Sequence, residues 1–253
     1  MRRYWLINLT CVILSAGFLF GTARVWRGES EVNYEAELGV MKNEVENVKI
    51  KMENKDDAVL PLQYLLPVPF TSQAPEKNWD QPWQDACEEA AVLMLDAYHK
   101  GYGLSPLFAK DEILKMIDAE EKLGWGTSIE IEKVKGLVER FVSLDHSITP
   151  SPHHARIVEN PTVEDIKKFI ANGQPVLVVA DGKVLPNSHF RNGGPVYHAL
   201  IIRGYTGTEF ITNDPGTQFG RGFKYKYEDL LNAVHDWNGG DVKNGKRVVL
   251  VVE

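Results

Sequence analysis

The chain has 253 residues, 43% of them hydrophobic, and a formal net charge of −7. That length holds one sizeable domain with appendages, or two small ones. The acidic balance argues against nucleic acid as the main partner, because a phosphate backbone selects basic surfaces.

The N-terminus reads Met1-Arg2-Arg3, followed by an apolar run over residues 4–23 interrupted only by Asn8, Thr10, Ser15 and Thr22. Twenty helical residues span roughly 30 Å, the hydrocarbon thickness of a bilayer. Arg2 and Arg3 would hold the N-terminus in the cytoplasm. Residues 1–27 are therefore expected to be a signal anchor, or a secretory signal cleaved after the small residues Gly21 and Ala23. Either way the body is exported, tethered to the membrane through residues 4–23 or secreted. Thr10 before Cys11 does not fit a lipoprotein site.

Residues 28–66 form a charged helical stalk or linker. Tyr34, Leu38, Met41, Val45, Val48 and Met52 alternate spacings of 4 and 3, a short heptad seam. It is compatible with weak self-association through residues 34–52 or with a single amphipathic spacer helix.

Leu65-Leu66-Pro67-Val68-Pro69-Phe70, an extended segment whose prolines exclude helix, leads from the linker into the body, residues 67–253. A buried helix is expected over 86–99, since Ala90, Ala91, Val92, Leu93, Met94, Leu95 and Tyr98 leave it almost no polar face. Further helices are expected over 106–122, and from a capping box Thr127-Ser128-Ile129-Glu130 to about 142. Residues 150–160 read as loop, and a short helix opens at Thr162. The periodicity then changes. Residues 175–180, 196–205 and 208–213 read as strands, the last two joined by Thr206-Gly207 as a hairpin. A helix over 227–237 and a strand over 247–252 complete the chain. Helices first and an antiparallel sheet second predict an α+β fold.

Three residues stand out. Cys87 opens the buried helix. His198 lies near the start of an otherwise apolar strand, and Asp214 ends the next one. If the hairpin forms, His198 and Asp214 sit on neighbouring strands. A carboxylate there accepts from one imidazole nitrogen and leaves the other for a nucleophile. A helix N-terminus and an imidazolium both favour the thiolate form of Cys87. Asn213 would face the opposite side of the sheet from Asp214. Gln73, Gln81 and Gln84 are candidate oxyanion donors. Trp79, Trp83 and Trp125 either line the cleft or belong to the core. His153, His154 and His189 lack ligand spacing, so no metal or other cofactor is expected.

In this order the pieces resemble a known family. Val68-Pro69-Phe70-Thr71-Ser72-Gln73, Cys87 with Ala90-Ala91-Val92-Leu93-Met94, Gly173-Gln174-Pro175-Val176-Leu177-Val178, His198-Ala199-Leu200-Ile201-Ile202-Arg203-Gly204-Tyr205 and Asn213-Asp214-Pro215 are similar to cysteine-peptidase family thirty-nine, the bacteriocin-processing-peptidase-like branch of the papain fold. The resemblance implies helices packed on a C-terminal antiparallel sheet, Cys87 as nucleophile, His198 as base, Asp214 as its orienter and Gln73 as oxyanion donor. The family's Cys-Gly-Pro is Cys87-Glu88-Glu89 here. Two acids in a first helical turn suit the dipole, but they raise the cost of a thiolate beside them. A shifted pH optimum, a cationic substrate or lost activity would each follow from that. Gln81, six residues before Cys87, remains a rival for the oxyanion role.

The expected function is hydrolysis of a peptide bond in a peptide or protein substrate through an acyl-enzyme. Alternatives are a catalytically inactive papain-fold binding domain and a peptidoglycan amidase or endopeptidase.

Overall fold

A computed structural model describes residues 60–142 and 154–253. The expected anchor (4–23), the seam (34–52) and His153 lie outside the described residues. Among the described residues, no helix is long and apolar enough to cross a membrane.

The described chain is α+β. Strand β1 (Tyr64–Leu65) leads into helices α1 (Cys87–Lys100), α2 (Pro106–Leu123) and α3 (Ile131–Phe141). Strand β2 (Ala155–Glu159) and helix α4 (Val163–Ala171) follow. Strands β3 (Val176–Asp181), β4 (Tyr197–Tyr205), β5 (Glu209–Asn213) and β6 (Arg221–Lys226) come next, then helix α5 (Tyr227–Ala233) and strand β7 (Val248–Val252). The sheet order is β2-β7-β3-β4-β5-β6, every pairing antiparallel, with β1 added on β4. β3 and β7 are buried almost end to end. A strand covered on both faces reads as a continuous apolar run, without the alternation of a half-exposed one.

Helix α1 ends where its sequence says it should. Gly101 at φ 72° takes the left-handed turn that closes it. Its residues from Cys87 to Ala97 are buried, and it packs on β4, α2 and α3. α4 carries the reciprocal capping box of Thr162 and Asp165.

Three expectations are corrected, and one strand is added. The box at 127–130 does not cap α3. Its N-cap is Glu130, without a side-chain bond, and the Ile131 amide is bound instead by Asp236 Oδ1 at 2.8 Å, from 105 residues away. The stretch read as loop over 150–160 contains strand β2. The helix expected over 227–237 stops at Ala233, because the chain turns into the sheet: Val234 bridges Ala180 and the His235 amide donates to Val179 O at 3.2 Å. Strand β6 was not read from the sequence at all.

The lead-in segment crosses the sheet and is tied down by polar groups. Arg203 donates from Nε and Nη2 to Leu66 O, at 2.9 and 2.6 Å. Asn213 Nδ2 donates to Val68 O and Pro69 O. β1 comes so close to β4 that a Cβ on Gly204 would lie 2.5 Å from Tyr64 O.

Candidate active site

Cys87 stands at the first position of α1 and is 4% exposed. The N-cap residue is Ala86, which supplies no capping side chain. The first turn is satisfied differently: Glu88 and Glu89 each accept from their own backbone N–H. Neither acid reaches solvent, for both are buried. Glu88 Oε2 accepts from Cys87 Sγ at 2.8 Å, and Oε1 accepts from Ile129 N at 3.3 Å.

This environment sets the thiol. Burial pushes the Cys87 pKa well above its ordinary value, and the charge and hydrogen bond of Glu88 add to it. A hydrogen bond with the backbone of Ala199, the residue after His198, acts the other way. Burial lifts Glu88 to about 7, against the opposing pull of its hydrogen bonds and of the His198 charge.

His198 and Asp214 meet. His198 Nε2 lies 2.7 Å from Asp214 Oδ1, and both side chains are essentially sealed from water. The β4–β5 hairpin accounts for it: β4 and β5 are paired in register with Ile201 opposite Asn213. Asp214 is the hub of a small network. Oδ1 also accepts from Gly216 N at 3.0 Å, while Oδ2 accepts from Asn187 Nδ2 at 3.0 Å and Tyr225 Oη at 2.6 Å. Burial alone would raise the Asp214 pKa, but the His198 charge and these donors outweigh it and hold the carboxyl below its usual range. With Nε2 committed to the carboxylate, the imidazole keeps Nδ1 as its other nitrogen. Phe190 packs edge-on against the ring, 5.2 Å between centroids.

Asn213 does face away from Asp214. It holds the lead-in segment, and its Oδ1 accepts from Gly222 N.

Gln73 is buried near the start of α1, but its amide is occupied. Nε2 donates to Trp83 O and to Gln84 O, both at 2.9 Å, while Oε1 has no donor. Its backbone N–H donates to Pro215 O at 3.0 Å, joining the segment to the Asp214 loop. Gln81 is exposed and donates to Asp85 Oδ2; Gln84 is exposed as well. Trp83 is buried, and Trp79 and Trp125 are half-buried against the core.

Asn187 and Tyr225 were missed from the sequence. Asn187 lies in a loop 27 residues before Asp214, and no local spacing announces it. Tyr225 was hidden with the rest of β6. Among the described residues, no group of three or more His, Cys, Asp or Glu side chains is arranged to hold a metal.

The family model described as Peptidase_C39 like family matches residues 65–239. The chain belongs to the Peptidase_C39-like family. Peptidase-type chemistry is therefore the function class of the body, on the α+β fold described above. Among solved structures the chain is similar to one from Bacillus anthracis described as a C39-like peptidase. That match has 15% identity and a TM-score of 0.47, and it covers 76% of this chain and 98% of the other. No curated protein matches the chain. Glu88 and Glu89, the two residues after Cys87, are both buried, Glu88 against Ile129 and Glu89 against Glu120 of α2.

Proposed function

We propose that the body is a cysteine peptidase in which Cys87, His198 and Asp214 act as nucleophile, base and orienter. The observation that carries the reading is the sealed 2.7 Å pair of His198 Nε2 with Asp214, on the strand whose Ala199 backbone bonds the Cys87 sulfur. Asp214 fixes the ring and stabilises its cation. His198 Nδ1 removes the thiol proton. The sulfur attacks the scissile carbonyl, and the amine leaves with that proton. Water, deprotonated by the same imidazole, then hydrolyses the thioester and regenerates the thiol.

The developing oxyanion needs donors, and one good donor contributes about 3 kcal/mol. The backbone N–H of Cys87 has no acceptor within the helix, because it belongs to the first turn. It is the primary donor in this proposal. Gln73 joins it only by giving up one of its bonds to Trp83 O and Gln84 O.

Export is part of the proposal. Arg2 and Arg3 followed by the apolar run over residues 4–23 support either a membrane tether, with the catalytic body outside the cytoplasm, or a cleaved signal. Cell fractionation with protease accessibility of the body tests it: a body that remains protected inside intact cells overturns export.

One observation favours a second reading, a peptide-binding domain without catalysis. The Glu88 carboxyl on Cys87 Sγ opposes the thiolate that chemistry needs. Iodoacetamide separates the two. The peptidase reading expects Cys87 to be alkylated faster than free cysteine near neutral pH and to be essential for cleavage of a peptide library. Slower alkylation with no cleavage establishes the binding domain.

A further inference from the structure

The proposed nucleophile and its histidine come from different parts of the fold, Cys87 from the head of α1 and His198 from β4. A reacting pair has to be held to within about half an ångström by the groups behind it. The segment over residues 71–74 is bonded toward both. On the cysteine side, Gln73 Nε2 donates to Trp83 O and Gln84 O. Those carbonyls belong to a single 3-10 turn, Trp83–Asp85, and only Ala86 separates it from Cys87. One amide thus grips the turn from which the cysteine emerges.

On the histidine side, the segment meets the loop that follows Asp214. Gln73 N donates to Pro215 O at 3.0 Å, and Ser72 Oγ donates to the same carbonyl at 3.2 Å. Gln218 completes the junction: its Nε2 donates to Ser72 Oγ at 3.0 Å and to Ala74 O at 2.7 Å. Ser72 Oγ also accepts from Ala74 N at 3.2 Å, so the hydroxyl makes its one donation and both acceptances. Ser72 and Gln73 are each 4% exposed, where an unmade bond costs more than at the surface. The loop itself is pinched shut. Asp214 N donates to Gly220 O at 3.0 Å, and a Cβ on Gly220 would lie 1.7 Å from Asp214 O, so only glycine fits. A closed loop carries the position of Asp214, and with it His198, to Gln218.

We propose that Gln218 is a positioning residue for the Cys87–His198 pair, acting through Ser72, Ala74 and Gln73 on the turn that precedes Cys87. In this role Gln73 works through its bonds to two main-chain carbonyls, and not as a donor to the oxyanion. The proposal rests on the peptidase reading only for what the alignment serves; the alignment itself is read without catalysis.

Loosening the junction lets the Cys87 sulfur drift from β4, whose Ala199 backbone bond favours the thiolate. The thiolate should then form at higher pH. The titratable groups around the sulfur and Glu88, namely Glu88, Glu89, Tyr197 and His198, are the same in every variant used below, so a shift reports where the sulfur sits.

The test follows iodoacetamide alkylation of the full chain against pH, with the Cys87 peptide quantified by mass spectrometry apart from Cys11. Gln218→Met and Gln73→Met keep the length of the side chain and lose its donors. Each is expected to move the midpoint of the profile upward by about 0.5–1 pH unit, the loss of one hydrogen bond to the sulfur. Because the two residues act through one series of bonds, the double variant should shift no further than the larger single shift. Alkylation is displacement at a saturated carbon and builds no oxyanion, so a Gln73 serving only as oxyanion donor leaves its profile unmoved. An unmoved or downward-shifted profile in either single variant, or a double shift equal to the sum of the two, overturns the proposal. Thermal unfolding checks that each variant is folded at the assay temperature; where the double variant is not, the two single variants decide. Peptide cleavage by the unsubstituted chain judges the peptidase reading separately, and its absence leaves the alkylation test intact. Where cleavage occurs, kcat should fall in both single variants with KM unchanged; a rise in KM alone overturns the positioning role.

Discussion

Cys87 Sγ donates to Glu88 Oε2 across 2.8 Å, between side chains of adjacent residues at the head of one helix. The position after the cysteine thus carries a buried carboxyl in direct contact with the thiol. A helix N-terminus stabilises a thiolate by roughly 0.3–1 kcal/mol. Burial and a carboxylate at hydrogen-bond distance oppose it, and the net direction here is upward.

Glu88→Gln is therefore expected to lower the Cys87 pKa. It removes the like charge and places an amide where a thiolate can accept from it. The pH profile of iodoacetamide alkylation should shift to lower pH, with a faster rate at pH 7. An unchanged or upward-shifted profile would show that Glu88 does not control the thiol.

The four donors on Asp214 make a second prediction. Tyr225→Phe removes the hydroxyl on Oδ2 and should cost about 1.5–3 kcal/mol, typical for a hydrogen bond to a charged group. The sign with pH follows from the lowered Asp214 pKa. Its contribution to stability is complete above the unfolded value near 3.9 and is lost as pH falls through the lower folded value. Losing a donor raises the folded pKa, so acid unfolding of the variant should begin at higher pH. Denaturant melts between pH 2 and 5 measure both effects.

At higher pH the sign reverses. Glu88, Glu89 and Glu120 are buried acids whose folded pKa values are raised, Glu88 to about 7 and Glu120 to about 8. The folded state binds more protons than the unfolded one from about pH 4.5 upward, so stability falls over the interval to about pH 8. Glu88 alone corresponds to an effect on the order of 3 kcal/mol. The melting temperature should peak near pH 4–5 and decline toward pH 8, and Glu120→Gln should flatten that decline. A melting temperature that rises from pH 5 to 8 contradicts the buried-acid account.

Gly216 offers a steric test of the His198–Asp214 pair. A Cβ there would lie 2.8 Å from His198 Cε1, 3.0 Å from Phe190 Cε1 and 3.2 Å from Asp214 Oδ1. Gly216→Ala should push the imidazole off its partner and cost about 1–3 kcal/mol by overpacking. Peptide cleavage should fall while Cys87 stays titratable. Full activity in this variant would mean that the His198 position does not matter to turnover.

The elements legible in the sequence share a physical property. Helix α1 and strands β3, β4 and β7 are buried almost throughout, and a buried element must be apolar at its own period. The elements that escaped notice are the sheet's edges. β2 and β6 end the strand order; Arg156, Lys224 and Lys226 face outward there, as edge strands require, and their charge hides the alternation. The box at 127–130 misled for another reason. Its residues suit a cap, but Asp236 reaches the Ile131 amide from a distant part of the chain, and local pattern carries no sign of that.

For the site, the sequence by itself determined which helix head would carry Cys87 and that a hairpin would bring His198 and Asp214 together, although Asp214 lies one residue past the end of β5. Periodicity and turn chemistry are local, and they suffice for that much. Only the tertiary structure decided that Glu88 turns back onto the thiol, that the Gln73 amide is held by Trp83 O and Gln84 O, and that Asn187 and Tyr225 close around Asp214. The same holds for Glu89 and Glu120, which meet across two helices. Residue type fixes what a polar group can bond. Which group it meets depends on how buried surfaces from distant segments pack, and that is settled when the core closes.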